Sequence, residues 1–415
     1  MRPLIKFLLK SIILYIELSF LFLQNTPRGG GIALIRLDAI GDFFLWLDTA
    51  KEYRRLYPNQ KITLIANAAW ADLAKQLPYW DEVWPINIRH LDLRQPLKRW
   101  RLLRRIRQRG FLTAIQPTCS RVLLHGDSVV RATGAMQRIG SMGDLTNATA
   151  SEHKTGNRWY TRLLPASSSP MMELLRNAEF VSHLGGTPHQ AALAQFPRLA
   201  TLPPALQPAA PYFIVFPGAS WIGKQWPVGS FAAALLALQR RHGWQAVLCG
   251  APNEAALCQA IAHAAAVNCI NLAGETNLSE LAEVIRGARL LIGNDTSAVH
   301  IAAAVDTPAV CILGGGHFGR FMPYPDTVPG IKPVVAFEAM PCYHCNWRCN
   351  QPHDPNGSVP CISHISVETV LAAAEQALDI ATATRSSADT VLACQTSIMY
   401  SPKHTLIASA HDLHF

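Results

Sequence analysis

Three short stretches place chemistry-bearing side chains where an apolar run gives way to a helical one. Residues 31–36 (GIALIR) end in Leu37-Asp38-Ala39-Ile40-Gly41-Asp42. Residues 212–216 (YFIVF) run into Pro217-Gly218-Ala219-Ser220 and then Lys224-Gln225-Trp226-Pro227. The third stretch, Ile292-Gly293-Asn294-Asp295-Thr296-Ser297-Ala298-Val299-His300, again joins a strand to a helix. In open α/β sheets ligands bind beyond the carboxyl ends of the strands, so all three are expected to face a cleft. Asp42, near a helix start, fits two roles equally well on spacing alone: a carboxylate that caps the helix, or a general base. The small-residue turn before Lys224 can cradle a phosphate with backbone N–H groups and one point charge. It is not a Walker A loop, because the Gly-Lys-Ser/Thr ending is missing. Asp295, Thr296, Ser297 and the N–H groups of the helix start form a second candidate anion site. Gly314-Gly315-Gly316 fits a phosphate turn or a flexible connection and decides nothing.

These loops need a scaffold, and the rest of the chain reads as one. β-rich runs at 31–36, 62–66 and 112–116 alternate with helical stretches such as 43–56, which predicts a parallel sheet covered by helices on both faces. Residues 200–211 (ATLPPALQPAAP) contain four prolines and no charge, the composition of a linker. The alternation then restarts, with strands at 212–216, 245–249, 269–272, 290–293 and 309–313 and helices at 228–242, from about 253, at 278–287 and from about 297. The expected organisation is an apolar segment at 1–27, a Rossmann-like domain at 28–199, the linker at 200–211, a second Rossmann-like domain at 212–380, and a loose tail without periodicity at 381–415.

Composition narrows the partners. Of 415 residues, 49% are hydrophobic and 16% charged, which excludes a disordered or fibrous chain. Lys plus Arg number 37 against 28 acids, a formal charge of +9, so the partner is expected to be anionic: nucleic acid, nucleotide phosphate or a membrane surface. The segment 93–109 (LRQPLKRWRLLRRIRQR) carries much of that charge and no acid. As a helix it would place Leu97, Trp100, Leu103 and Ile106 on one face, with Arg99, Arg101, Arg104 and Arg105 available to an acceptor or to anionic lipid. No zinc-finger, helix-turn-helix or RNP pattern accompanies it, so nucleic acid is not the expected partner. Residues 3–23 are long enough to span a bilayer, but Lys6, Lys10 and Glu17 interrupt them. A membrane-surface anchor is favoured there, with a helix packed on the protein as the alternative.

Cys342-x2-Cys345-x3-Cys349-x11-Cys361, with His344, His353 and His364 interspersed, has the spacing of a structural zinc site. Free thiols in a reducing compartment suit the same residues, and disulfides come third.

The three strand-end motifs, in this order, resemble glycosyltransferase family 9, the ADP-heptose:lipopolysaccharide heptosyltransferases, over about residues 31–378. The resemblance implies a GT-B fold of two Rossmann-like domains facing a central cleft. It also implies inverting, metal-independent sugar transfer needing no cofactor for catalysis, with a nucleotide-sugar donor held mainly by the second domain. A lipid-linked glycan acceptor and a peripheral position on the cytoplasmic face of an inner membrane are implied as well. By position, Asp42 matches the catalytic base, Lys224 the lysine near the donor phosphates, and Asp295, Thr296 and His300 the donor loop, with Ser220 and Ser297 beside them. Ser297 stands where the family usually has glycine and Asp38 where it more often has serine, so the sugar itself stays open. Two rivals are weaker. A Rossmann-fold epimerase or dehydrogenase would carry Gly-x-Gly-x-x-Gly after residues 31–36 or 212–216, and neither run has it. A non-catalytic glycan- or membrane-binding member would not need Asp42, Lys224, Asp295 and His300 together.

Overall fold

The computed structural model describes residues 30–208 and 211–399. The apolar segment at 1–27 and residues 400–415 lie outside the described residues.

The first half builds a parallel sheet from β1 (Ile32–Arg36), β2 (Ile62–Asn67), β3 (Glu82–Ile86), β4 (Thr113–Gln116), β5 (Gln137–Ser141) and β6 (Arg162–Leu164). Their order is β3-β2-β1-β4-β5-β6. The second half repeats this winding with β7 (Tyr212–Phe216), β8 (Gln245–Leu248), β9 (Cys269–Asn271), β10 (Leu291–Asn294), β11 (Ala309–Ile312) and β12 (Val334–Ala336), ordered β12-β11-β10-β7-β8-β9. In each sheet the chain starts in the middle, walks to one edge, and returns to the other side of its first strand. The direction reversal falls between β1 and β4 in one sheet and between β7 and β10 in the other, where such sheets open a crevice. All three motifs therefore leave their sheets at a switch point, after β1, β7 and β10.

The helices are α1 (Ile40–Leu56), α2 (Ala71–Ala74), α3 (Pro96–Arg109), α4 (Ser128–Thr133), α5 (Ala150–Asn157), α6 (Glu173–Gly185), α7 (Val228–His242), α8 (Ala255–Ala265), α9 (Leu278–Gly287), α10 (Ser297–Ala304), α11 (Pro360–Ser363) and α12 (Val367–Met399). Helix α1 positions the first motif. Phe43, Phe44, Trp46, Leu47 and Tyr53 are fully buried, and each such side chain contributes about 1.5–3 kcal/mol by leaving water. Phe43 stacks on Trp70 and Trp46 on Trp80. Arg54 and Arg55 in the last turn oppose the helix dipole. Helix α9 starts at a capping box in which Asn277 and Glu280 satisfy each other's backbone N–H groups.

The halves meet through packed helices. One apolar cluster runs continuously from α1 and β1 to α10 and β10. Residues past α6 strap across the joint: Phe196 N donates to Ala304 O at 2.8 Å, and Arg286 Nη2 to Phe196 O at 2.7 Å.

The structure departs from the sequence expectations in three places. Strands β3, β5, β6 and β12 were not anticipated: β3, β5 and β6 are short, partly exposed and carry Glu82, Pro85, Arg138 or Arg162, and β12 has only three residues. The region read as a loose tail continues α12, which is helical up to Met399 and is anchored on the second half by Val370, Ala374, Ala377 and Ala381. Arg99, expected to touch lipid or acceptor, is wholly buried: its guanidinium donates to the Leu91 carbonyl at 2.6 Å and to Ser128 Oγ at 2.7 Å.

Candidate active site

The loop after β1 is held from below by two side chains. Asn67 Nδ2 and Trp70 Nε1 donate to the Asp38 carbonyl at 3.0 and 2.9 Å. The Asp38 carboxylate lies 2.8 Å from Arg36 Nε and accepts from Thr118 Oγ1 at 2.8 Å. Arg36 in turn donates to Asn177 of α6. This fixes where α1 begins, and with it Asp42.

Asp42 is not a cap. The N-cap of α1 is Ala39, and Asp42 sits inside the first turn with no hydrogen bond to its carboxylate among the described residues. The helix dipole and the guanidiniums of Arg36 and Arg320 favour its ionised form. Burial, reinforced by the carboxylates of Asp38 and Glu173, outweighs them and pushes its pKa up to about 7. A carboxylate of that basicity, unbonded and facing a cavity, is poised to take a proton near neutral pH.

That cavity, of about 590 Å³, lies between the two halves. Asp42 and Gly41 line it from one side, and Ser220, Lys224, Asp295, Thr296, Ser297 and His300 from the other. Gly41 allows the close approach of α1 to α10: a Cβ there would come within 3.1 Å of the His300 ring. His300 is buried, its Nδ1 is 3.0 Å from the Tyr324 hydroxyl, and burial lowers its pKa to about 4. The ring is therefore neutral at pH 7 and offers a hydrogen bond rather than a charge. Thr296 is the N-cap of α10, and its buried hydroxyl has no partner. Beside a helix start, an orphaned hydroxyl is a site made for a bound anion. Lys224 Nζ is 3.6 Å from Asp295 Oδ2 and 4.7 Å from the centre of the Trp347 ring, so its ammonium is fixed on two sides.

Sequence reasoning missed four contributors. Asn294, fully buried, donates to the Pro217 and Gly218 carbonyls and accepts from Trp226 N, tying the β7 and β10 loops together. Glu254 lines the cavity at the end of a Gly-Ala-Pro-Asn-Glu turn after β8, packed so close to Gly218 that a Cβ there would meet its carboxylate at 2.0 Å. A glycine turn at a strand's carboxyl end was the available signal for Glu254. Trp347 and Arg320 come from irregular segments, and nothing in their spacing marks them.

Other expected site residues do not join the cavity. Arg101, Arg104 and Arg105 are exposed on α3, where Arg104 lies over Trp100 and Arg105 over Trp84. Cys342, Cys345 and Cys349 lie near enough to Cys361 to act on it electrostatically. Among the described residues no group of three or more His, Cys, Asp or Glu side chains is placed to hold a metal ion. All four are free thiols. Cys361 is buried, with its sulfur accepting from Gly315 N at 3.4 Å.

Comparison with known proteins agrees with this geometry. The family model for glycosyltransferase family 9 (heptosyltransferase) matches residues 128–350. The chain is 22% identical to lipopolysaccharide heptosyltransferase 1 of Pseudomonas aeruginosa over 290 residues, 68% of this chain and 78% of the relative. A family 9 glycosyl transferase from Veillonella parvula superposes with a TM-score of 0.61 at 18% identity, covering 86% of this chain and 98% of that one. The E. coli ADP-heptose heptosyltransferase II superposes at 0.59 and 19% identity, over 84% and 98%. With two switch-point crevices closing on one cavity and a family match across more than half its length, the chain belongs to glycosyltransferase family 9 and is a GT-B glycosyltransferase.

Proposed function

We propose that the protein transfers heptose from ADP-heptose to a lipopolysaccharide core or related surface-glycan acceptor, with inversion and without a metal. The observation that carries this reading is the opposition, across one cavity, of an unbonded carboxylate with a pKa near 7 and a cationic anion site. Asp42 takes the proton of the acceptor hydroxyl as its oxygen attacks the anomeric carbon. The bond from that carbon to the leaving diphosphate breaks on the opposite face, which inverts the centre. Lys224, the Thr296 hydroxyl and the N–H groups at the start of α10 receive the charge that develops on the diphosphate, the role otherwise given to a metal ion. Ser220, Ser297 and the neutral His300 bind the donor by hydrogen bonds, and Asp295 holds Lys224. No cofactor is needed for these steps. The family match and the printed name of the Pseudomonas relative support the sugar and the acceptor.

A panel of nucleotide sugars tests the donor. ADP-linked heptose is expected to raise Tm by several degrees, since a ligand at 100 times its Kd adds about 2.7 kcal/mol and each kcal/mol shifts a domain of this size by about 2–4 °C. Stabilisation by NAD and by no nucleotide sugar would refute the reading.

We further propose that the protein works at the cytoplasmic face of an anionic inner membrane. Among the described residues no helix is long and apolar enough to cross a bilayer. The exposed face of α3 supports surface contact, with Lys98, Arg101, Arg104 and Arg105 exposed on the same helix as Leu97, which is 70% exposed. Each such cation near an anionic surface is worth about 1 kcal/mol. Converting Arg101, Arg104 and Arg105 to glutamate should therefore reduce binding to phosphatidylglycerol vesicles at least tenfold at low salt. Undiminished binding would move the contact to residues 1–27.

A further inference from the structure

Two motifs take no part in the proposed transfer, the glycine triplet Gly314-Gly315-Gly316 and the cysteine-bearing segment between β12 and α12. The fold puts them together. The carbonyls of Gly315 and Gly316 accept from His344 N at 2.8 Å and Asn346 N at 3.0 Å, and Gly315 N donates to Cys361 Sγ. The triplet has no room for side chains. A Cβ on Gly315 would come within 2.1 Å of the Tyr343 ring, and one on Gly314 or Gly316 within 2.7 or 2.4 Å of the Trp347 ring. The three glycines are a seat for two aromatic rings.

The seated segment is held in a costly conformation. Of the five non-glycine residues with positive φ among the described residues, three fall here: His344 (66°), Asn346 (49°) and Trp347 (59°). A bulky residue in the left-handed region is strained and persists only where its surroundings impose it, and such strain collects at functional sites. The indole N–H of Trp347 is buried without a hydrogen-bond partner among the described residues, which is a second cost. What the arrangement achieves is a contact, with Lys224 Nζ 4.7 Å from the centre of the Trp347 ring. The same segment also grips the backbone around that lysine. Val359 N donates to Gly223 O at 3.0 Å, Ser358 Oγ to Gln225 O, and Trp226 Nε1 to Ile365 O at 2.9 Å. Trp221, on the lysine's own loop, meets the Trp347 ring edge-on with centres 6.3 Å apart.

We propose that residues 342–365 form a clasp of the donor site and that Trp347 is a positioning residue for the transferase, fixing the Lys224 ammonium where the leaving diphosphate gains charge. The role of Lys224 in this clasp rests on the transferase reading. A cation over an indole is attracted by the ring quadrupole, and the ring carries no net charge. Asp295, 3.6 Å from Lys224, restrains the ammonium but also offsets its charge. Trp347 restrains it without offsetting it, which leaves the charge available to the diphosphate.

Titration calorimetry of the full-length protein with inorganic pyrophosphate tests this without any nucleotide sugar, so its outcome is independent of the donor panel. The free diphosphate already carries the charge that the leaving group acquires. Lys224→Met should weaken its binding about tenfold or more, the scale of a lost hydrogen bond between charged groups. Trp347→Leu should weaken it about fivefold, the scale of one cation–π contact, and Trp347→Phe should recover most of the loss. Gly316→Ala should weaken it as well: Gly316 does not have a positive φ, so its backbone tolerates alanine, and the added methyl group presses on the Trp347 ring. On the Lys224→Met background Trp347→Leu should cause no further loss, a dependence that a purely structural tryptophan would not show. Equal losses with and without Lys224, unchanged binding in Trp347→Leu, or no binding by the wild type would overturn the proposal.

Discussion

Asp42→Asn is expected to lower the rate of sugar transfer about 10²- to 10⁴-fold while leaving the affinity for the donor nearly unchanged. Asparagine keeps the shape of the side chain and removes only its ability to take a proton. The donor-binding groups belong to the β7 and β10 loops and are untouched. The variant should also be more stable than the wild type at pH 8. The pKa of Asp42 is raised in the folded protein, to about 7 from an ordinary value of 3.8. Its ionisation therefore costs folding energy, absent below the ordinary value and present in full once the pH exceeds 7. Replacing the carboxylate with a neutral amide removes that cost, so Tm at pH 8 should rise by a few degrees and the difference should shrink towards pH 4. Loss of activity with a gain in stability separates a functional carboxylate from a structural one. A variant that transfers at the wild-type rate would remove Asp42 from the mechanism.

Lys224→Met should reduce kcat about 10²- to 10³-fold, the effect of deleting one preorganised group that meets developing charge. The fall in donor affinity should be smaller, because the diphosphate gains charge only as its bond to the sugar breaks. Two fixed neighbours, Asp295 and the Trp347 ring, hold the ammonium in place. Lys224→Arg keeps the charge but cannot occupy the same position between them, so it should recover only part of the rate. Steady-state kinetics with the donor varied checks both. An equal loss in donor affinity and kcat/KM, with kcat intact, would make Lys224 a binding residue only.

Much of this architecture is legible in the amino-acid sequence because buried parallel strands announce themselves. β1, β2 and β7 are buried along their whole length, so their apolar runs stand out, and the loops that follow carry the site. Helix α9 has the bounds 278–287 expected from the alternation of strands and helices. Edge strands such as β3 and β6 are harder, since much of each is partly exposed and tolerates charge. Arg99 shows a different limit. A single arginine in a basic helix looks like its neighbours, and only the tertiary fold reveals that the Leu91 carbonyl and the Ser128 hydroxyl receive it. In the cysteine segment the spacing says nothing of two further placements, Cys361 in the core and Trp347 against Lys224. Asn294 lies within a motif that the sequence singled out, but its task of joining two loops is visible only when β7 and β10 are seen to be neighbours.

The pH dependence of transfer tests the central claim most directly. With donor and acceptor subsaturating, kcat/KM is expected to rise about tenfold per pH unit below an apparent pKa near 7 and to level off above it, and neutral His300 should add no second limb in that range. A rate independent of pH between 5.5 and 8.5, roughly the window that brackets such a base, would contradict the assignment of Asp42 as the group that takes the acceptor's proton.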